Sequence, residues 1–318
     1  MKPIIQNLSE IISFIDTSVK IINENPDLSI LKFSPICGSS SGDMTFCSRI
    51  DTKSIQSIND SNASLILCPQ NLDIQKINSI STLILVDNPR LWFMRCIEKF
   101  TSKTSSSITN ENHFTTNSII ESDSIGSNTS IGNFCFIEKN VKIGNDCIIY
   151  PGVQIYNGTK IGNNVKIFPS VIIGASIFGP QRNKDMKLET CHHLAGVNIG
   201  NDVEIGSNTS ILPGFLKDTK IDDGTKISSQ VYIGSAMQIG KNCMITGKTY
   251  FGGSSTLEDN VYIGPGANIR NGITISKNSF VGIGSNVIKD VPENTTVIGN
   301  PAKSIDHNSD PNAINNIN

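Results

Sequence analysis

The sequence has little of what marks several large classes of protein. Its 26 basic and 28 acidic residues give a formal net charge of −2, so no basic surface indicates binding to nucleic acid or to an anionic membrane. No stretch approaches the roughly 20 consecutive apolar residues that a membrane span needs. The N-terminus, MKPIIQNLSEIISFID, also lacks the unbroken apolar core of a signal peptide. These absences predict a cytoplasmic protein.

What the chain has in abundance is a repeat. After residue 118 an aliphatic or aromatic residue recurs every six positions, from Ile119 to Ile173, from Ile199 to Ile211 and from Ile221 to Val287. An α-helix, with a period of 3.6, and an alternating strand, with a period of two, would both scatter these side chains. A period of six predicts a left-handed parallel β-helix, with one hexapeptide on each of three sides and about 18 residues per turn.

Other positions of the hexapeptide support this fold. Small or β-branched residues follow four positions after each aliphatic residue, where a narrow corner would exclude larger side chains. Cys135, Cys147 and Cys243 occupy such positions, where a free thiol acts as a compact apolar group. Because the eight cysteines also include no CxxC pair, we expect structural thiols rather than disulfides.

Two interruptions break the repeat, between Gly174 and Asn198 and between Ile211 and Ile221. Loops that leave a rigid solenoid usually cover or build its binding face. We therefore expect the functional site to lie beside them.

The first 100 residues lack the repeat and predict a small α/β domain. Helices are expected at LSEIISFI, capped by Asn7 or Ser9, and over Arg90–Phe100, and buried strands at ASLILC and TLILV. The polar segment 101–117 is predicted to be a linker. The β-helix is expected over 118–305, followed by a disordered tail at 306–318.

Motifs in both domains resemble the UDP-3-O-acylglucosamine N-acyltransferases of lipid A synthesis. GDMTFCSRID, ASLILCP and LILVDNPRLWFMRCIEKF follow the order of that family's uridine-binding domain, while HHLAGVNIGNDVEIGSNTSI and KDVPENTTVIGNPAK resemble its coils. The resemblance implies a homotrimer with active sites in the clefts between neighbouring β-helices. There the amine of a UDP-linked amino sugar attacks an acyl thioester. It also implies that Phe46 stacks on uracil and that Phe178 and Gly179 belong to a loop covering the substrate. The alternatives are that Phe46 packs in the core and that Phe178 anchors the loop.

Several positions depart from that family's pattern. Ser235 stands at the position of its catalytic His, Ser228 at that of the preceding Asp, and Gly272 at that of a second His. In this chain Leu212 and Pro213 also stand where the family has an Asp-Arg pair. Arg49 and Thr52 stand where it has the Asn and Tyr of its uridine site. The family's C-terminal helical extension, which helps receive an acyl carrier protein, has no counterpart after Ile305.

The ending IGNPAKSI instead resembles the last coil of coenzyme A-dependent hexapeptide sugar acetyltransferases. Asn300, Pro301 and Ala302 are therefore candidates to border a coenzyme. The alternative is that they cap the solenoid, as terminal repeats must.

Amide formation from a thioester requires a neutral amine and stabilisation of the oxyanion, and a general base adds about 10²–10⁴-fold. His192 and His193, at the end of the first interruption, are candidates for that base or for a phosphate contact; the alternative is a solvated pair. Without a base, backbone N–H groups would stabilise direct attack. Ser235 is a candidate substrate contact or a surface hydroxyl of the coil.

No metal is expected. In Cys191-His192-His193, consecutive side chains of an extended chain point apart. The γ-class carbonic anhydrases share the predicted β-helix but need three histidines from neighbouring coils, and the coils here carry none.

The sequence therefore predicts an acyltransferase that acts on the amino group of a nucleotide-linked amino sugar. We expect no bound cofactor, and acyl-CoA or an acyl carrier protein as co-substrate, with coenzyme A favoured. Two alternatives are the lipid A N-acylation itself and a catalytically silent relative that binds a nucleotide sugar.

Overall fold

The computed structural model describes residues 6–15, 19–101, 113–114, 117–176, 178–190 and 193–305. They form two compact units, with the division in the segment between residues 101 and 113. Most of the predicted linker and all of the predicted tail at 306–318 lie outside the described residues.

The strands of the N-terminal unit are β1 (Gln6–Asn7), β2 (Lys20–Ile22), β3 (Ser29–Ile30), β4 (Lys32–Phe33), β5 (Asp43–Phe46), β6 (Leu65–Pro69) and β7 (Thr82–Val86). Five of them form a sheet in the order β2-β7-β6-β5-β4, in which only β2 is antiparallel to its neighbour. A separate antiparallel pair is formed by β1 and β3. The helices are α1 (Leu8–Ile15), α2 (Thr52–Asn59) and α3 (Pro89–Phe100), with a 3₁₀ turn at Ile74–Lys76.

The predicted elements of this unit are confirmed, and the structure adds others. The helix expected from Arg90 begins one residue earlier, at Pro89, because the side chain of Asn88 accepts a hydrogen bond from the Leu91 N–H at 3.1 Å. Strands β6 and β7 are buried along their whole length, as their apolar runs predict. Helix α2 and strand β5 were not anticipated.

The second unit is a parallel β-helix with three faces, here called I, II and III. Face I consists of Ser124–Ile125, Lys142–Ile143, Thr159–Ile161, Val197–Ile199, Thr219–Ile221, Gln238–Ile239, Thr256–Leu257 and Thr274–Ile275. Face II consists of His113–Phe114, Ser130–Ile131, Ile148–Ile149, Lys166–Ile167, Glu204–Ile205, Lys226–Ile227, Met244–Ile245, Tyr262–Ile263, Phe280–Val281, Thr296–Ile298 and the antiparallel Lys303–Ile305. Face III consists of Ile119–Ile120, Phe136–Ile137, Gln154–Ile155, Ile172–Ile173, Ser210–Ile211, Tyr232–Ile233, Tyr250–Phe251, Asn268–Ile269 and Asn286–Val287.

The hexapeptide register sets the core. Strands pair with a spacing of 18 residues, as Ile131 does with Ile149, and the aliphatic residues stack inward in one continuous core. The first position of the series is an exception: Ile120 pairs with inward-facing Ile137, whereas Ile119 pairs with outward-facing Phe136 and is 62% exposed. The prediction that Ile119 lies in the core is therefore wrong.

The corner between faces I and II is held by a ladder of side-chain amides. The Oδ1 atom of Asn145 accepts a hydrogen bond from the Ser127 N–H at 2.8 Å. In the next coils Asn163 Oδ1 accepts from the Asn145 N–H, and Asn201 Oδ1 accepts from the Asn163 N–H. Asp223 continues the ladder. Each turn therefore caps a backbone N–H of the turn before it, which stabilises this corner of the coil.

Seven of the eight cysteines are free thiols, as expected, and Cys191 lies outside the described residues. Burial raises the pKa of Cys96 to about 12 and that of Cys243 to about 11, whereas Cys37 is exposed. Because the thiolate is the reactive species, we expect a pulse of iodoacetamide to modify Cys37 in the native protein, and Cys96 and Cys243 only after denaturation. Peptide mass mapping measures this; rapid native labelling of Cys243 would contradict the buried corner.

Candidate functional site

Both interruptions of the repeat leave the coil at the corner between faces III and I. The first follows Ile172–Ile173 and the second follows Ser210–Ile211, in consecutive coils of face III. In the next coils the same corner is closed by tight turns at 234–237, 252–255 and 270–273, which carry Ser235 and Gly272. Both loops therefore lie at the III–I corner. So do Ser235 and Gly272, the two positions at which the UDP-3-O-acylglucosamine N-acyltransferases have histidines.

The two loops are hydrogen-bonded to each other beside His193. The N–H of Leu194 donates to the carbonyl oxygen of Phe215 at 3.0 Å, and the N–H of Gly196 donates to Asp218 Oδ1 at 2.7 Å. Asp218 Oδ2 also accepts from Asn198 Nδ2 at 2.6 Å. The side chain of His193 is partly exposed at this junction, whereas its neighbour His192 lies outside the described residues.

The second loop is tied in turn to the turn that carries Ser235. The N–H of Ala236 donates to Thr219 Oγ1 at 2.9 Å, and Gln238 Nε2 donates to the carbonyl oxygen of Asp218 at 2.9 Å. Asp218 thus joins the return of the first loop, the second loop and the following coil. The structure therefore places His193 and Ser235 along the same corner, which the sequence did not reveal.

Backbone donors are open at this corner. The N–H groups of Ser235 and Gly253 have no acceptor among the described residues, as is also the case for Ser207 and Ser229 at the II–III corner. Gly253 leaves its N–H uncovered; a Cβ there would lie 3.1 Å from Ser235 Oγ and 3.0 Å from the Ser235 carbonyl oxygen. Two consecutive glycines, Gly252 and Gly253, are the sequence signal that could have identified this feature.

The loops present apolar side chains to solvent. Phe178 is 90% exposed and Gly179 is exposed beside it; Leu194 and Leu216 are 82% and 73% exposed, and Phe215 also lies at the surface. Leu194 and Phe215 come together where the two loops are hydrogen-bonded, and exposed apolar side chains that lie together mark a site for an apolar ligand or a partner.

The remaining sequence candidates lie away from this corner. Ser228 lies at the II–III corner, across the strand Tyr232–Ile233 from Ser235. Asn300 and Pro301 are exposed in the closing turn, where the N–H of Ala302 donates to the carbonyl oxygen of Asn286 at 2.9 Å. That turn lies about four coils beyond Ser235, or roughly 19 Å along the axis.

Phe46, in the N-terminal unit, is half-buried against the core. Its ring lies 4.9 Å from that of Phe93, measured between centroids, and Phe93 also contacts Phe33 at 5.4 Å. Arg49 and Thr52 follow it, and Thr52 begins α2. Stacking of Phe46 on uracil stays a prediction.

Within the described residues, no group of three or more His, Cys, Asp or Glu side chains is placed to hold a metal ion. No helix in the same part of the chain is long and apolar enough to cross a membrane.

Comparison with known proteins supports the repeat and the fold. A family model described as bacterial transferase hexapeptide (six repeats) matches residues 124–157. The UDP-3-O-acylglucosamine N-acyltransferase of Verminephrobacter eiseniae (strain EF01-2) is 35% identical over 79 residues, which are 24% of this chain and 23% of that protein. That of Acidovorax sp. (strain JS42) is 36% identical over 81 residues, 25% of this chain and 24% of that one. The match thus spans about a quarter of the curated relatives.

Solved structures resemble the chain over more of its length. The UDP-N-acetylglucosamine acyltransferase from Campylobacter jejuni has a TM-score of 0.55 at 23% identity, covering 62% of this chain and 75% of that one. The Arabidopsis UDP-N-acetylglucosamine acyltransferase has a TM-score of 0.52 at 23% identity, covering 65% and 76%. At this identity the likeness shows the fold alone, and it confirms the left-handed β-helix. Residues 124–157 thus match the hexapeptide-repeat model, and the resemblance to the UDP-3-O-acylglucosamine N-acyltransferases is confirmed over about a quarter of the chain.

Proposed function

We propose that the protein transfers an acyl group from a thioester to the amino group of a nucleotide-linked amino sugar. The observation that carries this proposal is the III–I corner, where the open N–H groups of Ser235 and Gly253 lie along the same edge as the two loops and His193. The names of the curated relatives support the same class of reaction.

The reaction follows from these groups. The neutral amine attacks the thioester carbonyl, so that a C–N bond forms and the carbonyl oxygen becomes an oxyanion. The N–H of Gly253 donates to that oxygen, in a position fixed by the coil before the substrate arrives. Collapse of the intermediate breaks the C–S bond and releases a thiolate. The proton of the amine passes through water to His193, whose coil lies three strand spacings from that of Gly253, and then to solvent or thiolate.

A homotrimer fits the distribution of outward side chains. Face I presents Lys142, Lys160 and Lys220, which suit solvent. Faces II and III present stacked aromatic pairs, Tyr262 with Phe280 and Tyr232 with Tyr250. The parts of faces II and III that carry these rings are suited to burial against other copies of the chain.

The positions of Ser228 and Ser235 favour the same assembly. In one chain they occupy different corners, on opposite sides of face III. If they share one active site, as the resemblance implies, they meet across two neighbouring copies. The working cleft is then lined by the II–III corner of one copy and the III–I corner of the next.

The exposed side chains of Phe178, Leu194 and Leu216 provide an apolar wall for the acyl chain beside the thioester. Their area favours a donor with a chain longer than acetyl, because burying each CH₂ group contributes about 0.8 kcal/mol. Both acyl-CoA and an acyl carrier protein can present such a chain, and no resident cofactor is needed for the transfer.

Thiol release tests the reaction. The purified full-length protein is mixed with acetyl-CoA, long-chain acyl-CoA or acyl carrier protein and with UDP- or dTDP-amino sugars, and the free thiol is followed. We expect release that depends on both substrates. If no pair of substrates gives release while a nucleotide sugar still binds, the protein is a catalytically silent binder. The replacement of both family histidines by Ser235 and Gly272 is consistent with that alternative.

The variant His193→Ala tests the base. We expect kcat to fall by about 10²-fold with little change in KM, because a general base contributes to the transition state, and added imidazole should restore part of the rate. Lys187→Ala, an exposed change in the same loop, is the control. An unchanged rate in His193→Ala would show that the amine attacks without this histidine.

A further inference from the structure

A groove on face II lies outside the III–I corner. It has a volume of about 420 Å³, within the range of small-molecule sites, and it opens where the strands Glu204–Ile205, Lys226–Ile227 and Met244–Ile245 end. Its wall is formed by the ring of Phe168, and its other lining groups include Glu204, Lys226, Ser228 and Thr246.

The ring of Phe168 has one face covered and one face open. Tyr150 stacks on it from the preceding coil, with ring centroids 5.0 Å apart and planes 8° from parallel. On the other side the next coil contributes Gly206, which has no side chain. A Cβ at Gly206 would lie 2.4 Å from the carbonyl carbon of Ser228, so the coil itself requires glycine there.

The space beside Phe168 therefore has the thickness of a planar ring. Phe168 and Ser228 are two coils apart, about 10 Å along the axis, and only Gly206 lies between them in this row of outward positions. An aromatic ring placed on the open face of Phe168 would extend the stack of Tyr150 and Phe168 to three members. Every nucleobase has a π-face suited to such stacking.

The rim of the groove carries groups that suit the rest of a nucleotide. Glu204 Oε1 lies between two cations, 3.2 Å from Lys226 Nζ and 3.7 Å from Lys166 Nζ. Lys226 Nζ also donates to the carbonyl oxygen of Asp202 at 2.7 Å, so the ammonium groups are held at the rim, where they can bind phosphate. The hydroxyl groups of Ser228 and Ser229 line the same groove and can bond polar edges of a base.

We infer that this groove binds the base of a nucleotide, by stacking on Phe168 in the gap at Gly206. The inference rests on the proposed function, which supplies two sources for such a base: the nucleotide sugar that accepts the acyl group and the adenine of coenzyme A. The groove lies beside Ser228, at the corner that would face the next copy in the proposed trimer. This site is separate from Phe46, whose ring packs against Phe93.

Nucleotide binding to the full-length protein tests the site. Dissociation constants of UDP, dTDP and ADP are measured by calorimetry for the wild type and for Phe168→Ala, with Phe168→Trp as the variant that keeps an aromatic face. We expect Phe168→Ala to weaken binding by about tenfold or more and Phe168→Trp to retain it. Loss of UDP and dTDP affinity assigns the groove to the acceptor, and loss of ADP affinity assigns it to coenzyme A.

Phe136→Ala is the matched control, because Phe136 contacts another aromatic ring, that of Tyr156 at 5.7 Å between centroids, does not line the groove and should leave the affinities unchanged. Unchanged affinities in Phe168→Ala would overturn the inference, as would equal losses in both alanine variants. The outcome is independent of the reaction. If Phe168→Ala releases thiol with an unchanged KM, the nucleotide site is rejected but the proposed acyl transfer stands. If Phe168→Ala binds nucleotide more weakly but the wild type releases no thiol, the nucleotide site stands and the proposed acyl transfer is rejected.

Discussion

The variant Gly253→Pro should lower kcat by about 10²–10³-fold, the usual effect of removing one donor to an oxyanion. Proline has no N–H, so the substitution removes the open donor at the III–I corner. The turn should tolerate the change. Gly253 is the second residue after its strand, and proline occupies this same position at the II–III corner in Pro151, Pro169 and Pro265. The resulting Gly-Pro dipeptide would repeat one that the chain already has, Gly264-Pro265.

Two variants separate loss of the donor from distortion of the coil. Ile283→Pro creates a Gly-Pro dipeptide elsewhere, after Gly282 at the II–III corner, and we expect it to keep wild-type activity. Gly253→Ala retains the N–H but brings a Cβ to 3.1 Å from Ser235 Oγ, so it measures crowding alone. Steady-state kinetics on each protein separate the two effects. A kcat for Gly253→Pro within about threefold of wild type would rule out the Gly253 N–H as a donor to the oxyanion, because loss of such a donor lowers kcat by about 10²–10³-fold.

The period of six predicted the β-helix because each aliphatic side chain must point into the same narrow core. The prediction fails at Ile119, because Ile120 takes the inward position instead. The coil also begins earlier than predicted, at the strand His113–Phe114, so that one strand of face II carries a histidine, contrary to expectation. Helix α2 was missed for a different reason. Its sequence, TKSIQSIN, has only Ile55 and Ile58 to form an apolar face, and the capping of Ser54 N–H by Asp51 becomes visible only in the folded chain.

The candidate site was only partly predictable. Loops that interrupt a solenoid indicated the region, but the hydrogen bonds of Asp218 to Gly196 and Asn198 join two separate interruptions. The groove beside Phe168 was invisible for the same reason. Phe168 and Gly206 are neighbours in space but 38 residues apart, because the first loop is inserted between their coils.

The variant Phe251→Ala should lower the free energy of unfolding of the β-helix by about 3–5 kcal/mol, the usual cost of deleting a buried aromatic ring. Phe251 is fully buried and occupies an inward position where most coils have Ile. Its strand pairs with those of Ile233 and Ile269, so the cavity would form in the coils that carry Ser235 and Gly272. Urea unfolding followed by circular dichroism measures the loss.

Phe280→Ala deletes the same ring from an outward position, where it stacks on Tyr262 at 4.5 Å, and we expect a loss of about 0.5–1.5 kcal/mol. A repeat contacts only its neighbours, so the effect of Phe251→Ala should be local. Hydrogen exchange should therefore quicken in the strands at 232–233, 250–251 and 268–269 more than in those at 136–137 and 154–155. Equal losses of stability in both variants would contradict the inward register of residue 251, and with it the placing of Gly252 and Gly253 at the corner.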